Sequence, residues 1–389
     1  MSGLPQVSIG GAQAILTIDL AALADNWKRL AARTAPAECA AVVKADAYGI
    51  GIEPAVRALA KAGCRTFFVA HVSEGARARE TLGARKGFRI YVLNGLLPGA
   101  DVVRQYVEHS LSPVLGSFDE LRHWSSHLRT NAARIFAALH FDSGMNRLGI
   151  PMDRVGDFAE TAIATAASLS AEQSGVIIDL LMSHFVSSEA RSDAMNQRQI
   201  AAFKQLRGHF PGVPASLANS SGLFLPQKPF YDVVRPGYAL YGGNPTPDKT
   251  NPMRAVVKLQ APIIQLREIE AGESVGYNAQ WTANRKTRLA TIGVGYADGL
   301  PRNLMAINER PGGEAIVLGK RCPFAGRVSM DLTVIDVTDA PVKSLAPGVM
   351  VELLGEKITV DDMGARAGTI GYEILTGLGR RYHRVYLRN

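Results

Sequence analysis

Cysteine is scarce in this chain. Cys39, Cys64 and Cys322 are the three present among 389 residues. They supply neither a disulfide framework nor a metal-ligand spacing, so no metal site is expected. So few cysteines fit a reducing compartment, and the expected location is cytoplasmic. Long apolar runs are missing as well. None reaches the ~20 residues that a membrane-spanning helix requires, so no membrane partner is expected. The stretch Met1-Ser2-Gly3-Leu4-Pro5 lacks the basic region and apolar core of a secretory leader. Blocks of like charge are also absent. The net charge of +8 is scattered, and its densest group, Arg380-Arg381-Tyr382-His383-Arg384, is short. It reads as a solvated face, and no nucleic-acid partner is expected. Anionic small molecules and phosphate groups suit the charge balance equally well.

What remains is ordinary soluble composition, 47% hydrophobic and 20% charged, in a chain long enough for two cores. Asp19 is a candidate N-cap, followed by Leu20, Leu23, Trp27 and Leu30 at helical spacing. Candidate strands then fall at 38–44, 66–70, 88–93, 111–115, 134–141, 176–183, 214–218 and 231–235. Helical segments lie between most of them, including 53–63, 73–82, 117–128, 153–169 and 192–210. Eight strands in βα alternation predict an α/β fold, an N-terminal (β/α)8 barrel over residues 1–244. A doubly wound sheet is the competing architecture, but no Gly-x-Gly-x-x-Gly follows a first strand. After Asn244-Pro245-Thr246-Pro247 the texture changes. Runs such as Arg254–Ile264, Arg288–Val294, Glu314–Leu318, Leu332–Val337 and Val349–Leu354 alternate with Gly, Pro and Asp turns. Residues 245–389 therefore read as a mostly β domain, and the short run Ala14–Ile18 is a candidate to join it.

In a barrel the chemistry belongs at the C-terminal ends of the strands. Lys44 stands there after the apolar run Ala40–Val43, just before Tyr48-Gly49. Poor hydration of its ammonium would favour the neutral amine, the form that a nucleophile, a general base or an imine-forming lysine needs. A lysine that simply snorkels to solvent is the plain alternative. Other polar residues follow later strands: Asn94, Asp142 and Arg147, His184, Asn219 with Ser220, and Arg235. Singly, His184 reads as a hydrogen-bonded core histidine and Arg235 as an ion-pair partner; converging on one rim, they read as a site. Asn219-Ser220-Ser221-Gly222 offers hydroxyls and backbone N–H groups at an expected helix start. Arg235-Pro236-Gly237-Tyr238 offers a glycine that lets backbone approach an anion. Both segments follow the last two strands, where barrels bind phosphate. An imine-forming lysine beside a phosphate cradle implies pyridoxal 5′-phosphate.

At this point the chain resembles the alanine racemase family, fold-type III pyridoxal-phosphate enzymes, over nearly its whole length. The motifs are AVVKADAYG (41–49), FDSGMNRLG (141–149), MSHF (182–185), ANSSG (218–222) and DVVRPGYALYG (232–242). SVGYNAQW (274–281), IGVGYADGLPR (292–302), GRVSMD (326–331) and GYEILTGLGRRYHR (371–384) continue them into the second domain. The resemblance implies interconversion of L- and D-alanine through an external aldimine, supplying D-alanine for peptidoglycan. It implies Lys44 as the Schiff-base lysine and D-face base, and Tyr277 of the partner subunit as the L-face base. The enzyme would then be a homodimer with shared sites and a small amino-acid substrate. Arg235 matches the arginine facing the pyridine nitrogen, and His184 the histidine linking that arginine to the tyrosine. Tyr48, Ser220, Gly237, Tyr238 and Tyr372 match phosphate-binding positions, with Asn219 beside them. Arg147 and Met330, the latter through its backbone N–H, match groups at the cofactor hydroxyl and the substrate carboxylate. Tyr296, with Arg302 and Glu189, matches the substrate access corridor.

Three positions depart from the family's usual pattern. Ile50 stands where histidine is usual, Ser329 where cysteine is common, and His140 where many members carry a carbamylated lysine. None removes an expected base. Among other functions, a cofactor-binding role on a bare barrel does not account for the 145 residues after Asn244. A decarboxylase of the same fold type has a glutamate where Arg235 stands. A racemase of a larger amino acid, such as serine, lysine or arginine, is the reading that the motifs separate least well.

Overall fold

The computed structural model describes residues 11–387 apart from 12, 84–86, 132–133 and 162–174. The first strand, β1 (Ile15–Asp19), leads directly into helix α1 (Leu20–Thr34). The Asp19 side chain caps that helix by accepting from the Ala22 N–H at 2.8 Å. Leu20, Leu23, Trp27 and Leu30 are buried on one face, as their spacing predicts.

The barrel follows. Its strands are β2 (Glu38–Cys39, resumed at Ala41–Val42), β3 (Thr66–Val69), β4 (Arg89–Val92), β5 (Ser112–Leu115) and β6 (Arg134–Asp142). They continue with β7 (Gly175–Met182), β8 (Ala215–Ser216) and β9 (Val233–Val234). Parallel ladders join β2 through β8 in sequence. Backbone bonds from Asp232 N–H to Ala215 C=O and from Arg235 N–H to Ala218 C=O carry the ring to β9, which pairs with β2. The strands are short, and β3 and β5 are buried at every residue because helices cover them outside and side chains fill the interior. Phe68 stacks on Tyr91 inside this core with ring centroids 5.0 Å apart.

The covering helices include α2 (Ile52–Ala62), α3 (Val72–Leu82), α4 (Ala100–Glu108), α5 (Phe118–Asn131) and α6 (Ala194–Gly208). The sequence reading omitted α4, a short helix that buries Val103 and Tyr106. The expected helix over 153–169 is α-helical from 155 to 161, with 153–154 in a preceding 3-10 turn, and 162–169 lie outside the described residues.

The second unit is mostly strand. Its long strand β10 (Val257–Ile269) pairs antiparallel with β11 (Thr287–Ile292), with β15 (Met350–Leu354) and with the N-terminal β1. Strands β12 (Glu314–Val317), β13 (Lys320–Pro323) and β14 (Thr333–Asp336) extend the sheets. The last strand, β16 (His383–Leu387), runs parallel to β1. Two short helices, α7 (Val360–Ala367) and α8 (Gly371–Thr376), pack against the mouth of the barrel. The expected α/β architecture, a (β/α)8 barrel with a mostly β second unit, is therefore present. Among the described residues no helix is long and apolar enough to cross a membrane.

Candidate active site

A cavity of about 680 Å³ opens at the C-terminal ends of the barrel strands. Lys44, His140, Arg147, His184 and Arg235 line it, a concentration of nitrogen bases and cations. Its volume falls in the range that binds cofactors and small ligands.

Lys44 reaches the cavity by an unusual route. The expected strand over 38–44 ends at Val42, and Lys44 opens a left-handed turn instead. Ala45, Asp46, Ala47 and Tyr48 all have φ between 51° and 54°. Each such residue costs roughly 1–2 kcal/mol because its Cβ crowds the next carbonyl, so surrounding contacts must offset the strain. Gly49 follows at φ 79°; a Cβ there would lie 2.2 Å from the Leu375 carbonyl oxygen of α8. The turn is thus pressed against the second unit. Burial lowers the Lys44 pKa, Arg147 lowers it further, and Glu74 opposes both. The neutral amine is correspondingly favoured.

Arg235 is 4% exposed, and among the described residues no carboxylate pairs with it. Its guanidinium donates to the Ser216 carbonyl at 2.8 Å, to the Ser216 hydroxyl, and to the Ser183 carbonyl at 2.6 Å. Burial lowers its pKa to about 9, so it stays protonated at neutral pH. His184 Nδ1 lies 3.5 Å from the same guanidinium. Burial first, then Arg235, push the His184 pKa down to about 3. A neutral ring beside a cation accepts at Nδ1 and keeps its hydrogen on Nε2. His140 is likewise neutral, lowered to about 4 by burial and then by Arg235.

A second group of residues forms a cradle. The Ser220 hydroxyl oxygen accepts from the Gly237 N–H at 3.0 Å and the Ala239 N–H at 3.2 Å. Its own hydrogen remains available to donate. A Cβ on Gly237 would lie 2.3 Å from the Tyr48 hydroxyl, so glycine alone fits there. Tyr48 stacks on Tyr241, and Tyr238 stacks on Tyr372 at 3.9 Å. Tyr238 donates to the Asp361 carboxylate at 2.7 Å, which ties the cradle to α7. Asn219 lines the cavity, but its carbonyl oxygen accepts from the Gly222 N–H and the Ser188 hydroxyl. The expected helix start at Ser220–Gly222 is corrected to a single 3-10 turn, Gly222–Phe224. Ser220 and Asn219 therefore organise the local backbone as well as facing the cavity. An amine, a guanidinium without a carboxylate partner and hydroxyl donors beside a glycine suit an aldehyde with a ring nitrogen and a phosphate. The residues fit pyridoxal phosphate.

Three expected site residues are not brought to this cavity. Tyr277 is 67% exposed, Met330 54% and Tyr296 41%, and none lines it. They sit on adjoining loops of the second unit. The Tyr296 N–H donates to the Ser329 carbonyl, the Ala297 N–H donates to the Met330 carbonyl, and Gly276 abuts the Arg327 backbone. Sequence reasoning also missed residues that hold the cavity walls. Ser183 and Ser216 bind Arg235 chiefly through main-chain oxygens, with the Ser216 hydroxyl as a further acceptor, and main-chain acceptors are announced by no side-chain pattern. Asp361 and Glu74 had a readable signal: each lies in the first turn of a helix.

A barrel carrying a half-buried lysine and a phosphate-type cradle, closed by a strand-rich unit, defines a fold-type III pyridoxal-phosphate enzyme. Comparison with known proteins narrows the class. Residues 18–245 match the family described as "Alanine racemase, N-terminal domain", and residues 256–386 match "Alanine racemase, C-terminal domain". Alanine racemase of Methylobacterium nodulans is 53% identical over 96% of this chain and 95% of that relative. Alanine racemase of Methylobacterium sp. strain 4-46 is 52% identical over 96% of this chain and 97% of that relative. The crystal structure of alanine racemase from Bartonella henselae with covalently bound pyridoxal phosphate superposes with a TM-score of 0.87 at 36% identity. It covers 97% of this chain and 100% of that one. The chain belongs to the alanine racemase family, and pyridoxal 5′-phosphate is its cofactor.

Proposed function

We propose that this enzyme interconverts L- and D-alanine with two bases on opposite faces of the substrate's α-carbon. Lys44 of one subunit is one base, and Tyr277 of the partner subunit is the other, in a homodimer with shared sites. The carrying observation is the split described above. One half-buried amine lies in the cavity, while Tyr277 stands exposed with Tyr296, Met330 and Leu332 on linked loops. An exposed apolar cluster of that kind is the signature of a surface that another chain covers. A two-fold assembly would bring each exposed face to the other subunit's cavity.

Racemisation requires both bases, because a single base tends to return the hydrogen to the face it came from. Pyridoxal phosphate, when bound, supplies the electron sink that acidifies the α-hydrogen. Lys44 Nζ takes or returns that hydrogen on the D face, and Tyr277 Oη does so on the L face. Arg235, oriented by its carbonyl partners, would face the ring nitrogen and leave it without a proton of its own. A weaker sink would follow and would restrain transamination. Arg147, with the Met330 N–H of the partner subunit, holds the substrate carboxylate. Tyr48, Ser220, Gly237, Tyr238 and Tyr372 hold the phosphate, and Tyr296 shapes the access corridor. We place the enzyme in the cytoplasm, on its three free, buried cysteines, with D-alanine for peptidoglycan as its product.

The test is racemisation of a panel of L-amino acids by the purified protein. L-alanine is expected to turn over at least about 10-fold faster than serine, lysine or arginine, since pocket contacts set such ratios. Preference for one of the larger amino acids would overturn the reading.

A further inference from the structure

The left-handed turn that presents Lys44 is fastened by a carboxylate from the next βα unit. Glu74 lies in the first turn of α3, on the next βα unit of the barrel, and is buried. One of its oxygens accepts from the Asp46 N–H at 3.2 Å, inside the turn itself. The other accepts from the Ala70 N–H at 2.9 Å and the His71 N–H at 3.2 Å, at the end of its own strand. Asp46 is fastened a second time, where its carboxylate accepts from Arg77 at 2.8 Å and from the Ile52 N–H at 3.1 Å. Arg77 in turn grips Glu53 with two bonds of 2.7 and 2.9 Å.

The same device recurs two units further on. Glu120 occupies the third position of α5, as Glu74 does in α3. One oxygen accepts from the Leu96 N–H of the preceding unit's loop at 2.8 Å, the other from the Gly116 N–H of its own loop at 2.6 Å. The two glutamates are equivalent loop staples with one difference. Glu120 fastens an ordinary loop, whereas Glu74 fastens Asp46, one of four consecutive residues in the left-handed region immediately after Lys44.

We propose that Glu74 is a positioning residue for Lys44, its carboxylate holding the strained turn that aims the amine into the cavity. The proposal rests on the reading of Lys44 as the cofactor-bearing lysine. Charge adds to geometry. Of the groups acting on Lys44, Arg147 lowers its proton affinity and Glu74 alone raises it. His140, His184, Arg235, Tyr48, Tyr238, Tyr372 and Glu373 also face the cavity. Loss of the Glu74 charge therefore removes the group that raises the proton affinity of Lys44.

The experiment compares Glu74→Gln with Glu120→Gln in the holoenzyme. Both are expected to lower the melting temperature by similar amounts, since each removes one charged staple. Two readouts separate them: the rate at which hydroxylamine strips the cofactor, and the pH midpoint of the visible band. Glu74→Gln is expected to speed stripping by about 10-fold and lower the midpoint by about half a unit or more. Glu120→Gln is expected to match the wild type in both. Equal stripping rates and midpoints in the two variants would overturn the proposal. Should Glu74→Gln not accumulate as folded protein, Arg77→Gln at the exposed end of the network is read instead. Faster stripping there supports the proposal, and an unchanged rate overturns it. Borohydride trapping in the wild type keeps the two ideas apart. A cofactor reduced onto a lysine other than Lys44 overturns the underlying reading and the proposal together. Indistinguishable variants with Lys44 trapped overturn the proposal alone.

Discussion

The two halves of the candidate site are built in opposite ways. The barrel half is enclosed: Lys44, His184 and Arg235 sit in one cavity, and buried main-chain oxygens orient Arg235. The half on the second unit is open, with Tyr277, Tyr296 and Met330 standing out from linked loops. Burial tunes the first half, depressing Lys44, His140, His184 and Arg235 alike. Tyr277, Tyr296 and Met330 stay exposed within one chain. On the proposed assembly, the fold finishes the binding part of the site and leaves a catalytic part for another copy to complete.

Substitutions on either side sharpen that contrast. The largest effect belongs to the open half. Tyr277→Phe is expected to suppress loss of the α-hydrogen from L-alanine by about 10²–10⁴-fold, the usual cost of a positioned base. Loss from D-alanine should fall far less, and solvent isotope exchange into each enantiomer measures both. Equal suppression would make Tyr277 structural.

In the enclosed half, Arg235→Glu replaces a cation that keeps its proton with an acid able to protonate the ring nitrogen. Racemisation is expected to slow by about 10²-fold, the scale of losing a preorganised charge. Transamination should rise, read as pyruvate formed per racemisation event. Unchanged partitioning would place Arg235 elsewhere than at that nitrogen.

The smallest effect concerns His140. Its folded pKa, about 4, lies below the ordinary value of about 6.5. The unfolded ring takes up a proton first as pH falls. Stability held by the neutral ring is thus complete above about pH 6.5 and drains away toward pH 4. His140→Leu removes that drain, so denaturant unfolding across this window should show a shallower loss than the wild type. Parallel curves would mean that the ring titrates normally.

The enclosed half was the more legible one. Short, mostly apolar runs such as those at 66–69 and 112–115 announce strands buried on both faces, and their spacing announces the barrel. Polar residues at strand ends then converge by topology alone. The turn after Lys44 was not legible, because Ala-Asp-Ala-Tyr contains no glycine to signal a left-handed backbone. The 3-10 turn at 222–224 was lost for a related reason: hydroxyl-rich loops and helix starts share their residue types. Glu74 was visible as a first-turn acid, yet its grip on Asp46 is a contact between successive βα units. As for Tyr277, spacing and periodicity said nothing of its role. Only the resemblance to a family did, because within one chain Tyr277 stands outside the cavity that Lys44 lines.

The central claim is that each site draws one base from each of two chains, and mixing inactive subunits tests it most directly. Lys44→Ala and Tyr277→Phe proteins are combined under conditions that permit subunit exchange, and alanine racemisation is measured. Each heterodimer then contains one site with both bases intact and one with neither. The account predicts that activity returns from two nearly inactive parents, reaching about one wild-type site per heterodimer. A mixture that exchanges subunits and stays as inactive as its parents would place both bases on a single chain and contradict the account.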